Sequence, residues 1–448
     1  MLYSIRDSQS SHELHRAASN ARFHRKSVNF PLLCVGLVWF GWLIAPKPAN
    51  LPVTMFAEFP QNQRLAPLQR LMLRDSLADG TSGHHVEQVE IVFAPGPARC
   101  RVPEAWLATV SLTAALQRSF LTDGVEGSSW EIMVPATPLT LCDSTPESWD
   151  AWLALDHKRP LLIPHQVPWR ASYWPEEGRL IWTFHHALLD GRSITKILSA
   201  LLMRIAGNEV AGLTLAHWPT PSPETIALAT DHFREKFADV EPIQWTPTED
   251  HQDSETSVLI LTQDVEARLN SCANSAGVTI PTLLIWTWGQ ALMRHFKTTR
   301  VIVEQLRAGA PQEGTAGFTM NTLPILIPLA DPQNTSTQLL EFRDELIGVR
   351  SIETVSAEDF PPTIFPNTQH ISSSVVMIER GTLQYLTGIL STPEIVESLT
   401  LHEAPGETLM ATAHLLPDLR LMVEGPEKKC WLDRWVCEIE MLLTHEQP

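Results

Sequence analysis

The sequence predicts an α/β protein made of two globular halves. The chain has 448 residues, more than one hydrophobic core usually serves, and 44% of them are hydrophobic. Strand-like apolar runs alternate with helical patterns on both sides of residues 217–224, a stretch rich in proline and threonine that is typical of a crossing loop. We therefore expect an N-terminal lobe at residues 55–216 and a C-terminal lobe at residues 225–448.

In the N-terminal lobe, a strand is predicted at Val86–Phe93, and a helix that Pro103 opens is predicted to follow it. The almost wholly apolar run Leu180–Phe184 is rich in strand formers, which predicts a buried strand that ends at His185. A helix follows. With Ser193 as its N-cap, its apolar face is predicted to comprise Ile194, Ile197, Leu198, Leu201, Leu202 and Ile205.

The C-terminal lobe shows a comparable alternation of strands and helices. Strands are predicted at residues 257–262, 301–304, 373–378, 409–413 and 419–423, and helices at residues 264–276, 277–292 and 431–443. Trp431, Trp435 and Ile439 share one face of the last helix, which favours core packing over a ligand site.

The break between the strand and the helix at residues 185–191 is the candidate site. Neighbouring strand side chains point to opposite faces, so His185 and His186 cannot both face one cavity, and one of them is structural. A neutral imidazole can take a proton from an attacking amine, hydroxyl or thiol, although packing or a weak metal site is the alternative. Asp190 can hold the turn through backbone hydrogen bonds or an arginine partner, and Gly191 permits a backbone conformation closed to other residues.

Charge, cysteines and motifs exclude several classes of protein. The net charge of −18 argues against nucleic acid as a partner. The six cysteines form no CxxC pair, and no histidine spacing is typical of a metal site, so we predict no metal and reduced thiols of the cytoplasm. The sequence has no GxSxG elbow, GxGxxG, Walker loop or HExxH helix, which removes the support for hydrolase, nucleotide-binding and zincin interpretations.

The first 54 residues differ from the rest and form an N-terminal extension. Residues 30–45 are an uncharged run of sixteen, whereas a membrane-spanning helix needs about 20 apolar residues. Three interpretations stay open: a single-pass anchor, an atypical signal, or an extension without a role before a true start near Met55. We favour the third, with a cytoplasmic protein. An anchor at residues 30–45, with membrane contact, is the alternative.

The segment from His185 to Gly191 resembles the HHxxxDG motif of the condensation domains of nonribosomal peptide synthesis and of their relatives, the CoA-dependent acyltransferases. Leu65–Leu73 resembles the opening helix of that family, and Gly317–Pro324 resembles its GxxxNTLP segment. The resemblance runs from Gln61 nearly to the C-terminus. It implies two chloramphenicol-acetyltransferase-like lobes in a V-shaped pseudo-dimer, with the active site between them.

The resemblance also implies roles for the site residues. The second histidine, His186, is the catalytic one, and His185, Asp190 and Gly191 shape the motif. Asn321 is a candidate support, which can donate to the substrate, support the histidine or hold a turn. No cofactor is expected to be bound, and acyl-CoA or a phosphopantetheinyl carrier thioester is the donor substrate.

Several arginines of the family are replaced in this chain, at Leu112, Gln117, Ala310 and Leu326. An arginine of the first of these regions is expected to pair with the motif aspartate, Asp190. Arg118, Arg170 and Arg192 are the candidates to replace it, and Arg118 is expected to lie on a helix.

The function implied is that of a stand-alone condensation-type acyltransferase of secondary metabolism, which forms an amide from an acyl thioester and an amine. No segment resembles an adenylation or carrier domain, so the donor is expected to come from CoA or from a separate carrier protein. Two alternatives are kept: a CoA-dependent alcohol O-acyltransferase that forms esters, and an inactive binding module of the same fold.

Overall fold

The computed structural model describes residues 65–445 except 80–84, 122–128, 133–134, 136, 164–165, 238–239, 241–256, 310–312, 357–358, 360–373, 380–387, 389–393 and 404–408. The N-terminal extension and its run at residues 30–45 lie outside the described residues. Among the helices that are described, none is both long and apolar enough to cross a membrane.

The elements alternate along the chain as the apolar patterns predict. The helices are α1 (Pro67–Asp79), α2 (Pro97–Ser111), α3 (Trp149–His157), α4 (Gly191–Ile205), α5 (Pro223–Phe237), α6 (Gln263–Ala276), α7 (Ile280–Phe296), α8 (Thr335–Gly348) and α9 (Lys428–His445). The strands are β1 (Val86–Phe93), β2 (Arg118–Leu121), β3 (Ser129–Ile132), β4 (Thr140–Leu141), β5 (Trp169–Trp174), β6 (Arg179–His185), β7 (Thr214–Leu215), β8 (Ser257–Ile260), β9 (Arg300–Ala308), β10 (Thr315–Ala316), β11 (Met320–Pro328), β12 (Ser374–Glu379), β13 (Val396–Glu403), β14 (Leu409–His414) and β15 (Arg420–Glu424).

Two main sheets organise these elements. The first has five strands in the order β13-β1-β6-β5-β4, and the second has six in the order β11-β9-β12-β14-β15-β8. Each has its own buried cluster of large side chains. Trp106, Trp182 and Phe184 belong to the first cluster, and Trp286 and Trp435 belong to the second.

The first sheet takes one strand from the second half of the sequence. Strand β13 pairs antiparallel with β1, and β1 pairs antiparallel with β6, which ends in the motif. Residues 396–403 therefore complete the sheet that carries the two histidines. The division into lobes at residues 55–216 and 225–448 stays a prediction.

Two local predictions in the N-terminal half were wrong. Helix α2 starts at Pro97 and contains Pro103 in its interior, because Pro97 already supplies the fixed φ that suits the first helical turn. Arg118 does not lie on a helix. A short 3-10 helix at Ala114–Gln117 ends the helical region, and Arg118 opens strand β2, which pairs with β3.

Candidate active site

The candidate site lies where β6 gives way to α4. Strand β6 ends at His185 as predicted, a single 3-10 turn covers His186–Leu188, and α4 begins at Gly191. The backbone N–H of His186 donates to the carbonyl oxygen of His85 at 2.6 Å. This bond extends the β1–β6 pairing by one residue and fixes the backbone of His186 at the rim of the sheet.

His185 is buried and its imidazole is fully engaged. Its side chain is 1% exposed, its Nδ1 accepts from the backbone N–H of Ala187 at 3.2 Å, and its Nε2 lies 2.9 Å from Oγ of Ser76. Because Nδ1 accepts, the ring proton is assigned to Nε2. Burial, followed by the neighbouring His85 and His186, lowers the pKa of His185 to about 3. The ring of His185 is therefore neutral at working pH, and both of its nitrogens are engaged.

His186 has the opposite surroundings. Its side chain is 27% exposed, and its Nδ1 lies 2.7 Å from Oε1 of Glu87, whose side chain is 10% exposed. The two atoms are close enough to form an ion pair when the ring is protonated, although the ring is not turned for a linear hydrogen bond. The Nδ1 atom is buried, so the exposed area of the side chain belongs to its other atoms. Phe318 packs against the ring edge-on, with the centroids 5.8 Å apart.

The sequence patterns did not identify Glu87 as a site residue. Glu87 lies on β1 and is paired with Phe184 of β6, and Phe184 precedes His186 by two residues. The signal that could have identified it is the strand alternation, because Glu87 shares a face with Val89 and Ile91, which are both buried in the core. A carboxylate at a core-facing position needs a partner, and here the partner is the second histidine of the motif.

Asp190 is held by neutral donors. Its Oδ1 accepts from the backbone N–H of Ser193 at 2.8 Å, so Asp190 and not Ser193 is the N-cap of α4, which corrects the prediction. Its Oδ2 accepts from both the backbone N–H of Thr319, at 3.0 Å, and the hydroxyl of Thr319, at 2.8 Å. These hydrogen bonds occupy the two oxygens that an arginine was expected to engage.

Two of the three candidate arginines have partners other than Asp190 in the part of the chain that the structure describes. Arg170 pairs with the buried Asp156 at 2.7 Å, and Arg192 donates to the carbonyl oxygen of Gly309 at 2.8 Å. Arg118 is buried in β2. Of the family positions that lack arginine, Gln117 donates to the carbonyl oxygens of the helix end at Val110 and Ser111. Ala310 lies outside the described residues.

The backbone conformation that favours glycine was predicted at Gly191, but the structure has it at Gly317. Gly191 is the first residue of α4, and its φ is not in the positive region, so its position does not demand glycine on conformational grounds. Gly317 has a φ of 157°, and a Cβ atom there would lie 3.2 Å from both Cβ and O of Ala216. Gly317 also accepts from the hydroxyl of Ser193 through its carbonyl oxygen at 2.7 Å. The close backbone approach thus belongs to the GxxxNTLP-like segment.

Asn321 lies on β11 with its amide turned toward a loop of the second lobe. Its Nδ2 donates to the carbonyl oxygens of Glu353 and Val355, both at 3.0 Å, and the residue is 2% exposed. Of the roles considered for it, this geometry matches the holding of a turn. The GxxxNTLP-like segment contacts the HHxxxDG motif through Phe318, which packs on His186, and through Thr319, which donates to Asp190. Within the described residues, no group of three His, Cys, Asp or Glu side chains is arranged to hold a metal ion.

Solved condensation domains share this arrangement of elements. The condensation domain of the Monacolin K polyketide synthase MokA covers 85% of this chain and 97% of its own, with a TM-score of 0.66 at 11% identity. The first condensation domain of the calcium-dependent antibiotic synthetase, in complex with a substrate analogue, covers 86% and 96%, with a TM-score of 0.61 at 16% identity. The chain has the condensation-domain fold. The resemblance drawn from the motif and the predicted fold class of two chloramphenicol-acetyltransferase-like lobes are both confirmed.

A third neighbour of this condensation-fold chain carries ligands. A variant of the starter condensation domain of rhizomide synthetase RzmA, in complex with C8-CoA and Leu-SNAC, covers 86% of this chain and 94% of its own, with a TM-score of 0.60 at 14% identity. No protein-family model matches the chain.

Among characterised sequences, the relatives are large peptide synthetases. A component of the linear gramicidin synthase of Brevibacillus parabrevis is 27% identical over 321 residues, which are 64% of this chain. A component of the mycosubtilin synthase of Bacillus subtilis is 23% identical over 320 residues, which are 63% of this chain. The matched segment is only 4% of the length of the first protein and 12% of the second.

Proposed function

We propose that this chain is a condensation-type acyltransferase that moves an acyl group from a thioester to an amine, with His186 as the catalytic residue. The observation that carries the proposal is the difference in surroundings between the two histidines at the end of β6. His185 is buried and neutral, whereas His186 has a partly exposed side chain in contact with a carboxylate. This partial exposure supports a role for His186 in contacting the acceptor.

The proposed reaction is a direct transfer. The amine nitrogen attacks the thioester carbonyl carbon while His186 takes the N–H proton. The carbon–sulfur bond then breaks, and the thiolate accepts a proton, which leaves an amide and a free thiol. No acyl-enzyme is needed. General base action contributes roughly 100-fold to 10,000-fold, and the alignment of donor and acceptor supplies the rest.

The donor is proposed to be CoA-bound or carrier-bound. The rhizomide neighbour in complex with C8-CoA supports an acyl-CoA donor, and the peptide synthetase relatives support a phosphopantetheinyl carrier with a carrier protein as partner. We also infer a cytoplasmic location, because acyl thioesters of both kinds are made there.

The test is thiol release from C8-CoA and other acyl thioesters by the full chain, with pooled amines, aminoacyl-SNAC compounds and alcohols as acceptors. Mass spectrometry identifies the product. We expect an amide and a loss of about 100-fold to 10,000-fold in rate for His186→Ala. His232→Ala is the matched control, because Nε2 of His232 lies 2.9 Å from Oε1 of Glu345 and the side chain is similarly exposed at 23%.

The outcomes separate the candidates. A His186-dependent amide supports the proposal, and a His186-dependent ester makes the chain an alcohol O-acyltransferase. Turnover that survives His186→Ala, or its absence across the whole panel, overturns the catalytic role and leaves a binding module.

A further inference from the structure

We propose that Glu87 is a positioning residue that holds His186 with its proton on Nδ1, so that Nε2 is the basic nitrogen of the ring. The inference rests on the proposed function, because it assigns a partner to the same histidine. Its basis is the 2.7 Å contact between Oε1 of Glu87 and Nδ1 of His186, at a position outside the HHxxxDG motif.

The burial of Glu87 indicates that its contact with His186 is not incidental. The residue is 8% exposed and faces the core beside Val89, on a strand whose inner face is otherwise apolar. Taking a carboxylate out of water costs several kcal/mol unless a cation or a hydrogen-bond donor compensates it. A leucine would fill such a position without this cost. The carboxylate is therefore best explained by what it does for His186.

Both ends of the contact are fixed by backbone pairing. Glu87 lies opposite Phe184, and Val86 lies opposite His185, in the antiparallel register of β1 and β6. The N–H of His186 continues this register by donating to the carbonyl oxygen of His85. The distance between carboxylate and imidazole is thus set by the sheet and not by a flexible loop, which is the condition for pre-organisation.

The contact selects one tautomer of the neutral ring. A neutral imidazole carries one N–H, and a carboxylate beside Nδ1 favours the proton at that nitrogen, so that Nε2 becomes the acceptor. The adjacent His185 has the opposite tautomer, with its proton on Nε2, because its Nδ1 accepts from Ala187 and its Nε2 contacts Ser76. When His186 takes the proton of the attacking amine, the carboxylate also stabilises the imidazolium that forms, as a charge-assisted partner does.

The first measurement is ¹⁵N NMR of the full chain labelled at histidine. The resonances of His186 are assigned by their loss in His186→Ala. In the wild type at neutral pH we expect Nδ1 to be protonated and Nε2 to be unprotonated. In Glu87→Met, which removes the acceptor and keeps the volume, this preference is expected to disappear, and Glu87→Gln, which keeps a neutral acceptor, is expected to retain part of it.

The second measurement is the separation of kcat from KM in the acyl-transfer assay. We expect kcat of Glu87→Met to fall about 10-fold to 100-fold with KM changed less than about 3-fold, because the lost contact acts on the base and not on substrate binding. Glu87→Gln should recover part of kcat. The matched control is Glu90→Gln on the same strand, whose carboxylate pairs with Arg179 and His402 on the opposite face of the sheet, and it is expected to keep the wild-type kcat.

The outcomes distinguish this inference from the proposed function. If the wild type shows no His186-dependent turnover, the proposed function fails and the role of Glu87 fails with it. If the wild type turns over and Glu87→Met and Glu87→Gln both keep its kcat, or if His186 carries its proton on Nε2 in the wild type, only the inference about Glu87 is overturned. Thermal melting of each variant excludes unfolding as the cause of a lost rate.

Discussion

The carboxylate of Asp190 accepts two hydrogen bonds from Thr319, a residue 129 positions later in the chain. The same aspartate caps helix α4 through the N–H of Ser193. Its backbone N–H donates to the carbonyl oxygen of Gly317 at 3.1 Å. The motif turn and the GxxxNTLP-like segment are thus one structural unit, in which neutral donors do the work that an arginine was expected to do.

Replacement of Asp190 by alanine is expected to lower the free energy of unfolding by about 2 to 4 kcal/mol. The variant loses the helix cap, which contributes about 1 kcal/mol, and leaves the buried N–H of Thr319 without its acceptor, which costs about 1 to 3 kcal/mol. Urea unfolding measures the change. Asp231→Ala is the control, because this exposed aspartate pairs with Arg234 on a helix surface, and the variant is expected to lose less than about 1 kcal/mol. Equal losses in the two variants would contradict the interpretation.

Replacement of Gly317 by alanine is expected to destabilise the fold by about 1 to 3 kcal/mol. The backbone conformation at φ 157° is strained for other residues, and the new methyl group would press on Ala216. Gly348 is the control: it has a φ of −58° and open space around it, so Gly348→Ala is expected to be neutral or stabilising by up to about 1 kcal/mol. A Gly317→Ala chain as stable as the wild type would show that the close approach is not needed.

Replacement of Arg170 by methionine is expected to cost about 1 to 3 kcal/mol of stability and to leave turnover per folded molecule unchanged. Asp156 is 3% exposed and would lose the guanidinium of Arg170 at 2.7 Å, although Arg159, Gln88 and Thr183 still donate to it. The double variant Arg170→Met with Asp156→Asn should recover part of the loss. If Arg170→Met instead lowered kcat in fully folded protein, the arginine would act on the site after all.

Acidification is expected to destabilise the protein through His185. The pKa of this imidazole falls from 6.5 in the unfolded chain to about 3 in the folded one, because burial disfavours the charged ring. Between these two values the unfolded chain binds more protons, so the free energy of unfolding decreases as the pH falls, by up to about 1.4 kcal/mol per pH unit. Urea unfolding at pH 7.5, 6 and 5 measures this slope. His185→Asn keeps an acceptor for the N–H of Ala187 and removes the titrating ring, so its slope should be shallower; parallel slopes in the two proteins would exclude His185 as the cause.

Local patterns predicted the elements that frame the site. The apolar run before His185 is a buried strand that ends at that residue, and the three-and-four spacing after Ser193 is the buried face of α4. The predicted face of Trp431, Trp435 and Ile439 is buried in the second core. These predictions succeed because periodicity is a local consequence of burying one face of an element. Predictions of where a helix begins were less accurate. Both Pro103 and Ser193 satisfy the preferences of a helix start, but the first helix begins at Pro97 and the second is capped by Asp190.

The sequence by itself determined the fold class, the order of the strands and helices around the motif, and the conclusion that only one of two adjacent histidines can face a cavity. The tertiary structure decided which partners those residues have. Glu87 meets His186 through the register of two strands that lie about 100 residues apart in the chain, and Asp190 meets Thr319 across 129 residues. Hydrogen bonds and ion pairs between distant segments depend on how sheets align, and no local periodicity encodes that alignment. The chemistry proposed for the site therefore begins with residues that the sequence displays and depends on contacts that only the folded chain creates.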